Sequence, residues 1–140
     1  MSSLSIRNQL PGTVIAVTPG EVMATVNVRL AGGQTLVAAI TLEAVTDLGL
    51  APGTAVRALV KSTEVSLATG QVRGLSIRNQ IPGTVTRVAT GAAMAAVKVA
   101  VEGTELTAAI TKDAAADLSL AAGTPVVALI KSTEVSLATS

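Results

Sequence analysis

Two short polar segments hold the residue types that could do chemistry, and each occurs twice. Ser5, Arg7 and Asn8 stand in segment 4–9, LSIRNQ, which returns unchanged at 75–80 with Ser76, Arg78 and Asn79. Lys61 and Ser62 open segment 61–69, KSTEVSLAT, which returns unchanged at 131–139 with Lys131 and Ser132. Thr41, repeated as Thr111, is a third candidate. Serine offers a hydroxyl, arginine a rigid fork of N–H donors, asparagine an amide and lysine an ammonium. A set made of donors suits an oxyanion. Thr41 also reads as a helix N-cap, and the N–H groups at that helix start would attract an anion too. The plainer reading puts Arg7 in a surface salt bridge, Asn8 in a turn and Lys61 at a solvent-facing strand end. Repetition weighs against it, because surface residues of duplicated domains usually drift.

Composition removes most other chemistries. The 140 residues contain no His and no Cys, so the commonest general base, the commonest transition-metal ligand, thiolate sites and disulfides are all missing. Glu43 and Asp47 lie one turn apart and read as helix surface, not as a catalytic pair. No nucleophile stands beside a base and no Walker-type phosphate loop occurs, so the chain is not expected to be an enzyme. A net charge of +1 and the absence of Phe, Tyr and Trp argue against a nucleic-acid binder, which uses basic grooves and aromatic stacking. No run approaches the roughly 20 apolar residues of a membrane helix, and the N-terminus has no cleavage-like pattern. The expected partners therefore include neither nucleic acid nor membrane, and the expected compartment is the cytoplasm.

The elements that must position these groups follow from the repeat. Pro11, Gly12, Thr13 and Val14 answer Pro82, Gly83, Thr84 and Val85, and Ala38, Ala39, Ile40 and Thr41 answer Ala108, Ala109, Ile110 and Thr111. The chain divides into a first domain at 1–69, a linker at 70–74 bracketed by Gly70 and Gly74, and a second domain at 75–140. One residue is lost near Gly103, where the first copy has Gly32 and Gly33; a hairpin tip tolerates such a change. The dominant period is two: Val22, Ala24, Val26, Val28 and Leu30 alternate with Met23, Thr25, Asn27 and Arg29. Further strands are expected around Leu36 to Ile40, Val56 to Val60 and Val65 to Leu67, and at 13–18 between turns at Pro11-Gly12 and Pro19-Gly20. Ser5 and Arg7 are expected on one side of a strand. Segment 41–50 breaks the pattern: Thr41 caps a helix, Glu43 sits in its first turn and Gly49 ends it. The fold class is thus all-β, with two OB-like five-stranded barrels, each with a short helix; an SH3-like barrel is the alternative. Hydrophobic residues make up 49% of a chain without aromatics, a surplus that points to surface buried between subunits.

The motif combination resembles the molybdate-binding Mop domain: S-x-R-N followed by a Pro-Gly turn, a mid-domain A-x-I-T and a late K-S-T, twice at matching spacing. The tandem pair is similar to the di-Mop molybdate storage proteins of the bacterial cytoplasm, over nearly the whole chain. The resemblance implies OB-like Mop domains, six of them around a threefold axis in a homotrimer, with molybdate or tungstate held at interfaces between domains and no other cofactor. It implies that Ser5, Arg7, Lys61 and Ser62 surround one oxyanion, with Thr41 reaching in from a neighbouring domain. Ser76, Arg78, Lys131, Ser132 and Thr111 take the same roles in the second copy. Asn8 and Asn79 match the motif as further molybdate-binding candidates, with the loop or a secondary site as their other roles. Where the family often has G-A-V-N-A-E-V this chain reads GEVMATV, so Met23 and Met94 replace the Asn of a secondary site.

The function expected is molybdate storage and homeostasis. The alternative is a molybdate-responsive sensor acting through a protein partner. With the first repeat starting at Leu4, no room for a DNA-binding or nucleotide-binding domain is expected before it.

Overall fold

Each repeat spends its alternating apolar residues on a curled antiparallel sheet, and a computed structural model describes residues 3–139. In the first repeat β1 is Asn8–Pro19, β2 Met23–Leu30, β3 Thr35–Thr41, helix α1 Leu42–Leu48, β4 Ala55–Val60 and β5 Ser66–Ala68. A 3-10 turn at Ser62–Glu64 separates the last two. The second repeat supplies β6 Asn79–Thr90, β7 Met94–Val101, β8 Thr104–Thr111, α2 Lys112–Asp117, β9 Pro125–Ile130, a 3-10 turn at Ser132–Glu134, and β10 Ser136–Ala138. The fold is all-β, built as two five-stranded half-barrels. Val26, Val28, Leu36, Ala38, Val56 and Val60 fill one interior; Val97, Val99, Leu106, Ala108, Val126 and Ile130 fill the other. Both belong to one continuous aliphatic core.

The sheets exchange their last strands. Their orders are β10-β4-β1-β2-β3 and β5-β9-β6-β7-β8. Ser136, Leu137 and Ala138 pair with Leu59, Ala58 and Arg57 of the first repeat, while Ser66, Leu67 and Ala68 pair with Leu129, Ala128 and Val127 of the second. Sequence repeat and folded module therefore differ by one strand.

Three local details differ from what the residues led us to expect. The strand expected at 13–18 runs from Asn8 straight through Pro11 and Gly12. It does so because β1 changes partners there, pairing with β4 over residues 8–13 and with β2 from Gly12 onward. Pro11 precedes the first β2 pair, so its missing N–H leaves only one neighbour to serve. Ser5 and Arg7 precede β1 instead of lying on a strand. The tip at 31–34 is not a free hairpin end. Gln34 donates to the Glu102 carbonyl at 2.7 Å, and a Cβ on Gly103 would come within 2.9 Å of Gly32. The missing residue falls where the two tips meet, so packing fixes its place.

The helices follow the expected capping. Thr41 and Thr111 accept from the N–H of Ala44 and Ala114, each at 3.1 Å. Gly49 ends α1 at φ 62°, but its counterpart after α2 is Ser119 at φ 52°, a conformation that costs a residue with a Cβ about 1 kcal/mol.

Candidate functional site

Strand register brings the two polar motifs together. Asn8 pairs with Val60 at the end of the β1–β4 ladder, so Arg7 and Lys61 follow side by side. Asn79 pairs with Ile130 in the same way, which sets Arg78 beside Lys131. Beyond the ladder, Lys61 turns the chain into its 3-10 turn, accepting from the Glu64 N–H at 2.9 Å, and the Lys131–Glu134 contact repeats this at 2.9 Å.

The entering loops are braced by their own side chains. Arg7 donates from Nε to the Ser5 carbonyl at 3.0 Å and from a terminal nitrogen to the Leu4 carbonyl at 3.3 Å. Arg78 does the same to Ser76 and Leu75 at 3.2 and 3.4 Å. Gln9 and Gln80 tie the same loops by donating to Ile6 and Ile77, both at 3.0 Å. A guanidinium has five N–H donors. Bonds to two carbonyls fix its plane and leave further donors for a ligand.

In the second repeat these groups line a cavity of ≈ 200 Å³ formed by Ser76, Ile77, Arg78, Lys131, Ser132 and Thr133. Four of the expected residues thus meet in one place, and no carboxylate is among the six lining residues. Two cations and three hydroxyls around one space attract and orient an anion, and nothing in the lining supplies a base. Thr133 and Ile77 were not singled out from the sequence, although Thr133 lies inside the unchanged K-S-T segment that pointed there. Larger clefts of ≈ 470 and ≈ 540 Å³ lie elsewhere, and neither combines these donors. The second of them contains Thr41 together with Glu21, Glu43 and Asp47. Within one chain, then, Thr41 faces an acidic cleft, and Thr111 does not line the Ser76–Lys131 cavity.

Asn8 and Asn79 require a correction as candidate anion ligands. Each is only 3% exposed. Asn8 donates to the Thr107 carbonyl at 2.9 Å and accepts from the Thr107 N–H at 2.7 Å. Asn79 treats Val37 identically, at 2.9 and 2.7 Å. β3 and β8 are the edges of their sheets, so these amides satisfy edge groups that would otherwise stay unpaired. The asparagines staple each repeat to the other's sheet. The period of two already pointed inward, since Asn8 shares its face with buried Leu10.

Among the described residues no group of three His, Cys, Asp or Glu converges as metal ligands, and no helix is long and apolar enough to cross a membrane.

The TOBE domain model matches twice, over residues 4–67 and 75–137. The chain is 40% identical over 136 residues to the molybdenum transport protein ModE of Herbaspirillum seropedicae, covering 96% of this chain and 51% of that protein. It is equally 40% identical, over the same share of each chain, to the molybdenum-pterin-binding protein MopA of Rhodobacter capsulatus. The chain spans about half the length of these relatives. The structure of the cytoplasmic molybdate-binding protein ModG, with molybdate bound, superposes with a TM-score of 0.96 at 42% identity, covering 99% of this chain and all of that one.

Proposed function

The chain belongs to the TOBE-domain family, with two Mop-type copies in tandem, and from that premise we propose that it binds molybdate at its Ser/Arg/Lys loops and buffers it in the cytoplasm. The observation that carries the reading is the carboxylate-free cavity where Ser76, Arg78, Lys131 and Ser132 converge. Molybdate is a tetrahedral dianion whose metal is already wrapped in oxygen. It needs N–H and O–H donors and positive charge, and a nearby carboxylate would repel it. Arg78 and Lys131 offset the charge, while the Ser76, Ser132 and Thr133 hydroxyls rotate to meet its oxygens. Charge-assisted bonds of this kind contribute roughly 1.5–3 kcal/mol each. Ser5, Arg7, Lys61 and Ser62 form the equivalent site in the first repeat. Sulfate has the same charge and shape, so cavity size discriminates; tungstate, close to molybdate in both, is expected to enter too.

The sites are completed by assembly. Leu4, Met23, Leu75 and Met94 are exposed at 37–45% and Val22 at 72%, apolar surface that a homotrimer of six modules would cover. In that trimer Thr41 and Thr111 approach the sites of neighbouring modules, bringing the free hydroxyl proton that their capping role leaves over. A second reading, a molybdate-sensing module, is favoured by the relatives of about twice this length, in which the same pair is joined to other sequence. Storage predicts several molybdate ions per oligomer in native mass spectrometry and equilibrium dialysis. No uptake at micromolar molybdate by intact oligomers refutes the proposal. A partner captured only with molybdate present favours the sensor.

A further inference from the structure

The two anion loops share one sequence but are braced differently. Gln9 and Gln80 hold equivalent places, each directed outward because its neighbours Asn8 and Leu10, or Asn79 and Ile81, are buried. Each donates to its loop, at the Ile6 or Ile77 carbonyl, and each has an amide oxygen left over as an acceptor. In the first repeat Arg57 takes that oxygen: its guanidinium donates to Gln9 Oε1 at 2.8 Å. In the second repeat the same register position, opposite Pro82 as Arg57 is opposite Pro11, holds Val127, whose side chain has nothing to donate.

These contacts run as a relay from β4 into the loop. Arg57 holds Gln9, Gln9 holds the Ile6 carbonyl, and Ile6 stands between Ser5 and Arg7. Arg57 is half-buried and lines a cleft with Pro11, Thr54 and Thr139 that contains no carboxylate, so no acid in that lining draws it from Gln9. Gln9 is half-buried, whereas Gln80 is exposed. The Arg7 bonds to Ser5 and Leu4, at 3.0 and 3.3 Å, are each shorter than the Arg78 bonds to Ser76 and Leu75, at 3.2 and 3.4 Å. A side chain already held in one rotamer spares the ordering entropy that binding would otherwise cost.

We propose that Arg57 is a positioning residue of the first-repeat oxyanion site: through Gln9 it holds the loop at 5–7 ready for the anion, a hold that the second-repeat loop lacks. The inference rests on the molybdate reading above. Arg57 does not bond the anion, and it acts through its hydrogen bond and not through its charge. The first-repeat site binds molybdate more tightly than the second.

The test uses the full chain in two single-site backgrounds, Arg78→Ala to leave the first-repeat site and Arg7→Ala to leave the second, titrated with sodium molybdate by calorimetry. Arg57→Val installs the residue that the other repeat carries in the same register, so the fold is retained. In the Arg78→Ala background it should weaken binding about twofold to fivefold, the loss of one modest hydrogen bond. With Gln9→Ala already present it should add nothing, because the relay is then broken. Val127→Arg in the Arg7→Ala background should tighten binding by a similar factor. In the molybdate-free chain, Arg57→Val should speed solvent exchange of the Arg7 Nε–H, followed by NMR, and leave that of Arg78 unchanged. Unchanged affinity with Arg57→Val, a loss that persists beside Gln9→Ala, no gain from Val127→Arg, or equal exchange changes at both arginines overturns the inference and spares the function. Absence of molybdate binding in the unmutated chain overturns both.

Discussion

Segments 61–69 and 131–139 are identical, whereas the hairpins β2–β3 and β7–β8 around them have diverged on one face. The tails are exchanged: β5 completes the second sheet and β10 the first, each in the same three-residue register. A tail must fit a ladder built by the other repeat and also carries the Lys and Ser of the proposed site, so two constraints act along it. In the hairpins only the inner face is held. Val26 and Val28 match Val97 and Val99, all fully buried. Outside, Asn27, Arg29 and Val37 have become Lys98, Ala100 and Thr107. Duplication is preserved where an element serves both repeats and lost where it serves its own.

The comparison is most easily broken at the staples. Asn8→Ala leaves the half-buried Thr107 N–H and C=O without their staple and opens a cavity at a buried position, and is expected to cost about 1–3 kcal/mol, as is Asn79→Ala at Val37. Urea denaturation of the molybdate-free protein checks this. A loss below about 1 kcal/mol means water or another group can replace the staple. The neighbouring arginines should behave oppositely. Arg7→Ala with Arg78→Ala removes exposed side chains, so stability should hold within about 0.5 kcal/mol while molybdate affinity falls by roughly 1.5–3 kcal/mol per site. Calorimetry with wild-type affinity in this double variant removes the arginines from the site. The smallest effect sharpens the difference between the helices. Ser119→Gly restores what Gly49 provides in the first repeat and should add about 0.5–1 kcal/mol, seen as a higher melting temperature. No change there would mean that Ser119 relaxes its φ without penalty.

Much of the fold was readable because its signals are local. Alternation in Val22 to Leu30 located β2, and Thr41 and Gly49 bracketed α1 to the residue. The donor set of the site was readable for the same reason, since hydroxyl, guanidinium and ammonium chemistry belongs to residue type. Arg7 and Lys61 lie far apart in sequence, however, and only the Asn8–Val60 register makes them neighbours. The sequence left Asn8 a candidate for the anion or for the loop, because its amide chemistry fits either. Its 3% exposure and its two bonds to Thr107 are long-range facts that composition does not contain.

Sequence alone thus determined a duplicated, aliphatic, strand-rich chain with donor-only polar motifs, because periodicity and functional groups are properties of short segments. The tertiary structure decided which repeat completes which sheet, which side chains staple the two repeats, and which distant polar segments meet at one cavity. Those depend on pairing between residues as distant as Asn8 and Thr107, and two tails of identical sequence carry nothing in themselves that says which sheet each completes.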